Sequence, residues 1–172
     1  EKMVKDYSEN DKNDIVPLVT RLKKQVAQKL RIDHMRLYDN DTYFQEDPKP
    51  ARDERGILKA GQEMYKDMSP ETGAFMDMMM DTDAFDVFTR EGKWTGGYMT
   101  SFDKYHQPFI FANFNGTTAD VDVVTHEAGH AFAYYMSEPV VPYELGLGAM
   151  ETAETHSMSM EFFAWKYMDM FF

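Results

Sequence analysis

His126-Glu127-Ala128-Gly129-His130 constrains this chain more than any other stretch, because it sets two imidazoles and a carboxylate inside an otherwise apolar run. Residues four apart share one face of an α-helix, so both rings can converge on a single metal ion. Glu127, rotated by about 100° from His126, then reaches a water bound to that ion. Val121, Val123, Val124, Ala128, Ala131, Phe132, Tyr134 and Tyr135 surround the motif, which predicts a helix buried on most sides. Thr117, Thr118 and Asp120 offer capping oxygens ahead of it, and Pro139 and Pro142 end it. Two imidazoles and a carboxylate buried together without a metal would be costly to satisfy. The motif therefore reads as the signature of a zinc peptidase rather than as a pair of structural histidines.

A tetrahedral catalytic zinc needs a third protein ligand and one open position for water. Glu144, Glu151, Glu154, His156 and Glu161 are the downstream candidates. Residues 149–172 read as a second helix, rich in Met and aromatic side chains, in which Glu154 and Glu161 lie seven apart on one face. A His-His-Glu site built from two helices is thus available. Spacing alone leaves Glu151 and Glu154 in competition.

The run His126 to His130, followed by Glu154-Thr155-His156-Ser157-Met158-Ser159-Met160-Glu161-Phe162-Phe163, resembles the oligoendopeptidase F branch of the thimet oligopeptidase family of zinc metallopeptidases. Gly96-Gly97-Tyr98 and Pro108-Phe109-Ile110-Phe111-Ala112-Asn113-Phe114 are similar to the hairpin that precedes the zinc helix in that family. The resemblance extends from about Asp11 to Phe172. It implies that Glu154, with Ser157 three and Glu161 seven residues later, is the third ligand, so that one zinc is held by His126, His130 and Glu154. It also implies a cytoplasmic enzyme cleaving peptide bonds of oligopeptides, with Glu127 as general base on the zinc-bound water. The expected fold is mainly α with a small β-hairpin or sheet, a zincin-like catalytic segment made of an active-site helix and a third-ligand helix. A zinc-bound His usually donates its other ring N–H to a carboxylate. Glu161, or failing that Asp122 one turn before His126, is expected in that role.

Peptide substrates of such enzymes are held by strand addition, in which backbone hydrogen bonds align the scissile bond. Phe109 to Phe114 is the best candidate for that edge strand, a plain core strand being the other reading, with Ala112 and Asn113 nearest the loop into the helix as substrate-binding residues. The net charge of −12 disfavours nucleic acid and anionic lipid as partners. The chain has no cysteine, which excludes disulfides and thiolate ligands. No run approaches a transmembrane span, and no signal-peptide core opens the chain. Residues 1–172 are expected to form a single, partial zinc metallopeptidase catalytic domain, a piece of something larger.

Elsewhere the pattern is helical. Ile15, Leu18, Val19, Leu22, Val26 and Leu30 form a 3.6-residue stripe, predicting a helix over 14–32 with an apolar packing face. Residues 38–50 read as loop, and 53–67, 70–80 and 82–89 as helices, with Ser69 and Pro70 opening the second of these. The methionines, 15 in all, read as core filling, and His34 and His106 as solvated or structural. Phe162, Phe163, Trp165, Tyr167, Met168, Met170, Phe171 and Phe172 close the chain without a cap or polar tail. That end is expected to pack against absent sequence or another copy of the chain. The resemblance further implies a Tyr and a His beyond the third ligand that stabilise the oxyanion. An alternative to the enzyme is therefore a zinc-binding fragment that needs the missing C-terminal segment or another chain for activity.

Overall fold

A computed structural model describes every residue except Asp41, Asp47, Gly146 and Leu147, and except the side chains of Tyr143 and Glu151. The chain is mainly helical with one small sheet, and divides into two compact units, Glu1–Asp47 and Pro48–Phe172.

The first unit is a run of helix: α1 (Lys2–Asn10), a π-helical turn at Asp11–Ile15, and α2 (Val16–Leu30). Helix therefore begins a dozen residues before the stripe predicts. Pro17 sits in the first turn of α2, where its missing N–H costs nothing, and Arg31 ends the helix in the left-handed region. The expected packing face is not covered: Ile15, Leu18, Val19 and Leu22 stay exposed, and only Val26 and Ala27 are buried.

The second unit contains the core. α3 (Glu54–Met68) opens with the Asp53 carboxylate accepting from the Gly56 amide at 2.8 Å. Ser69 ends that helix and caps α4 (Pro70–Asp81), its hydroxyl accepting from the Thr72 amide at 3.1 Å. The segment after α4 differs from expectation. Residues 82–89 form no helix; Asp83 turns the chain at φ 53°, and β1 (Phe85–Phe88) follows. Phe85 and Val87 are buried while Asp86 and Phe88 face outward, the period-two alternation of a strand.

β2 (Tyr98–Phe102) and β3 (Gln107–Phe114) form the expected hairpin, pairing antiparallel with Tyr98 opposite Phe111 and Phe102 opposite Gln107. β1 joins the other side of β3 in parallel, giving the order β1-β3-β2. β3 is thus the central strand, not the expected edge. Its burial alternates, with Pro108, Ile110, Ala112 and Phe114 turned into the core. Lys93 fastens this corner: its buried Nζ donates to the carbonyls of Asp86, Phe88 and Ala112 and to the Asp86 carboxylate.

α5 (Ala119–Ser137) and α6 (Met150–Ala164) pack side by side, with α5 also lying on the sheet and on α3. Thr118 precedes α5 without a side-chain cap; instead Asp120, buried in the first turn, accepts from the Asn115 and Gly116 amides at 2.9 and 2.8 Å. The expected single helix over 149–172 gives way at Trp165 to a 3-10 segment, Trp165–Met170. That change of pitch turns Tyr167 and Phe171 into the core, and the Tyr167 hydroxyl donates to Asp67 at 2.8 Å. Part of the aromatic tail is therefore covered by this chain itself, while Phe162, Phe163 and Trp165 remain about 60% exposed. Among the described residues no helix is long and apolar enough to cross a membrane.

Candidate metal centre

α5 carries His126 and His130 on the face turned to α6, and α6 returns Glu154 and Glu161 to them. Glu154 Oε2 lies 3.4 Å from His126 Nε2, and Glu154 Oε1 lies 3.8 Å from His130 Nε2. One donor atom from each of the three residues falls within 4.8 Å of the others. Zinc ligands at about 2.0–2.1 Å in a tetrahedron would be roughly 3.3 Å apart, so this donor set, two imidazole nitrogens and a carboxylate, fits that ion in type and nearly in spacing. Among the described residues no other group of three metal-ligating side chains comes together.

His126 Nδ1 lies 2.6 Å from Glu161 Oε1. An imidazole that donates from Nδ1 presents the lone pair of Nε2, the nitrogen facing Glu154. Asp122 stands one turn away, and its carboxyl is pushed above the usual range by burial and by the nearby Glu161 charge, with His126 opposing. Glu161, rather than Asp122, takes the ring nitrogen. Glu127 is half-buried beside His126 and belongs to no ion pair among the described residues. Of the other third-ligand candidates, Glu144 and His156 are exposed and stand outside the cluster, and the side chain of Glu151 lies outside the described residues.

Two residues of the sequence pattern act through packing. Ser157 is fully buried, and its hydroxyl donates to the Glu154 carbonyl at 3.1 Å and approaches Glu154 Oε2 at 3.3 Å. A Cβ on Gly129 would meet Ser157 Cα at 2.7 Å, so only glycine lets the helices approach this closely. From α3, the buried Tyr65 hydroxyl donates to the Val124 carbonyl at 3.1 Å, holding α5 just ahead of the motif. The only local signal for Gly129 was its place within the motif, and Tyr65 had none.

Ala112 and Asn113 do not present a free strand edge. Ala112 is buried, with its carbonyl taken by Lys93, and the Asn113 carboxamide donates to the carbonyls of Trp94 and Gly96. β3 lies between β1 and β2, with β2 paired to it as far as Phe111. Phe109 to Phe114 is therefore not the expected edge strand, and Ala112 and Asn113 lie on a central one.

Two helices thus bring a glutamate to two histidines in an arrangement that could hold a metal ion, and the chain belongs to peptidase family M3, whose model matches residues 1–172. Among solved structures it is similar to a protein assigned as an oligoendopeptidase F in Bacillus anthracis str. Ames, at 42% identity and a TM-score of 0.95 over 100% of this chain and 32% of that one. It is also similar to PZ peptidase A, solved with an inhibitor, at 39% identity and a TM-score of 0.94 over 99% of this chain and 31% of that one. These relatives place the chain with the oligoendopeptidase F branch. The chain thus spans about a third of the length of the structures it matches. No curated protein sequence matches it.

Proposed function

We propose that this chain is the metal-binding core of a zinc-dependent endopeptidase that hydrolyses peptide bonds of oligopeptides. The convergence of His126, His130 and Glu154 carries the reading. Zinc held by these three side chains would supply a Lewis acid that lowers the pKa of a water and polarises the substrate carbonyl. Glu127 takes the proton of the attacking water on its carboxylate and delivers it to the leaving amine. Glu161 keeps His126 in one tautomer and orientation through Nδ1. The substrate backbone pairs with β2, an outer strand of the sheet that packs on α5. The resemblance to oligoendopeptidases supports oligopeptides as the substrate class and the cytoplasm as the compartment.

A second reading is favoured by the length of the relatives. A zinc-binding fragment would depend on further sequence, or another chain, to complete the oxyanion site, and losing one oxyanion donor costs on the order of 10²- to 10³-fold in turnover. A peptidase assay on the purified chain, with added zinc and with a chelator control, separates the two. Cleavage that the chelator abolishes supports the enzyme; stoichiometric zinc without cleavage supports the fragment. Glu127→Gln is expected to keep one equivalent of zinc and to lower turnover of the active protein by roughly 10²-fold or more; unchanged turnover removes Glu127 from the mechanism.

A further inference from the structure

The turn between β2 and β3 is bonded at two points to the metal-binding helix. Tyr134 Oη donates to Asp103 Oδ1 at 3.0 Å, and the Ser101 hydroxyl donates to the same oxygen at 2.6 Å. Three residues further along the turn, the His106 imidazole meets the Glu138 carboxylate at the end of α5. The Tyr134 hydroxyl is held above its usual pKa by burial and by its bond to Asp103. The opposite end of β2 also rests on α5: a side chain on Gly97 would start 3.7 Å from Val123 Cγ2.

These anchors bracket Glu127. Val123, Tyr134 and Glu138 stand four residues before, seven after and eleven after Glu127, so all share its face of the helix. Six extended residues from Gly97 to Asp103 span about 20 Å, and the helix from Val123 to Tyr134 spans about 16 Å. β2 is therefore stretched alongside the Glu127 face, with its outer edge unpaired in the sheet. β2 is paired to β3 along its length, so the contacts to α5 set how the hairpin as a whole lies against the Glu127 face, and with it the distance between the edge amides of β2 and Glu127.

We propose that Asp103, His106, Tyr134 and Glu138 form a clasp that positions the outer edge of β2 over the Glu127 face and thereby sets affinity for an extended peptide backbone. This rests on the peptidase reading above. The four are positioning residues; none touches the reacting atoms. Both contacts are exposed to water, so each is modest alone and the clasp acts through the two together. His106 holds φ 51°, so glycine there keeps the turn while deleting the imidazole.

The test uses the whole chain with Glu127→Gln, which binds without cleaving, and a fluorescein-labelled decapeptide followed by anisotropy. Adding Tyr134→Phe and His106→Gly together is expected to weaken peptide binding by roughly 5- to 10-fold, while zinc affinity by chelator competition changes by less than about 2-fold. Asp103→Asn, which keeps an acceptor for the tyrosine hydroxyl, is expected to bind peptide nearly as well as the parent. Faster amide exchange along β2 in the double variant would support the clasp independently of any peptide. Peptide affinity indifferent to both changes, or one that falls only together with zinc affinity and helix content, overturns the proposal. If the parent with its clasp intact binds no peptide, the peptidase reading fails and the clasp fails with it.

Discussion

A single hydrogen at Gly129 lets α6 come close enough for Glu154 to meet both histidines. Any larger side chain would strike backbone at Ser157 Cα and stand 3.0 Å from Met160 Cβ, and backbone cannot rotate away as a flexible side chain can. Gly129→Ala is therefore expected to force the helices apart, costing about 1–3 kcal/mol of stability and weakening zinc binding; a thermal melt and a chelator competition on the same sample check both. Glu161 acts through a hydrogen bond instead of a distance. Its bond to His126 Nδ1 is 2.6 Å, and Glu161→Ala is expected to lower zinc affinity by roughly 10- to 100-fold with the helices intact by circular dichroism. Unaltered affinity would show that the imidazole needs no partner to face the metal. The choice of Glu154 over Glu151 came from the family resemblance, whereas the shared face of His126 and His130, and that of Glu154 and Glu161, was legible because a helix places residues four and seven apart on one side wherever it occurs. The support under it was not: Tyr65 reaches Val124 from 59 residues away, and nothing near either residue announces the pairing.

At the scale of elements, β1 shows what the sequence reading lost. Thr82 to Thr89 carries too few residues to separate period two from period 3.6, and the preceding helix made continued helix the simpler choice. What fixes the strand is Asp86 and its partners. The Arg90 guanidinium, followed by Lys93, holds the Asp86 carboxyl down at about 2. A carboxyl held below its unfolded value stabilises the fold above that value, and the contribution is lost as pH falls from about 4 toward about 2. Asp86→Asn is therefore expected to lower stability at neutral pH by about 1 kcal/mol and to match the parent near pH 2. Melts at both pH values measure it, and an equal deficit at both would contradict the assignment. The hairpin was legible from its glycines and aromatic runs, but the central place of β3 was not, because it depends on a parallel partner from before the hairpin. The 3-10 ending of α6 likewise answers to the core, where Tyr167 and Phe171 must point, rather than to local propensity.

At the largest scale, the second unit has a core built from α3, α4, the sheet, α5 and part of α6, with Phe162, Phe163 and Trp165 left exposed. His126, His130 and Glu154 are partly exposed and stand on α5 and α6, so their arrangement depends on contacts within residues 48–172. That separates the proposed metal site, whose three side chains this chain supplies, from the activity of relatives about three times as long. Zinc stoichiometry of the purified chain, measured alongside Glu154→Gln and Glu127→Gln, tests the account most directly. One equivalent in the parent and in Glu127→Gln, with binding largely lost in Glu154→Gln, is the predicted result. Full zinc binding by Glu154→Gln, or loss of the metal in Glu127→Gln, would contradict it.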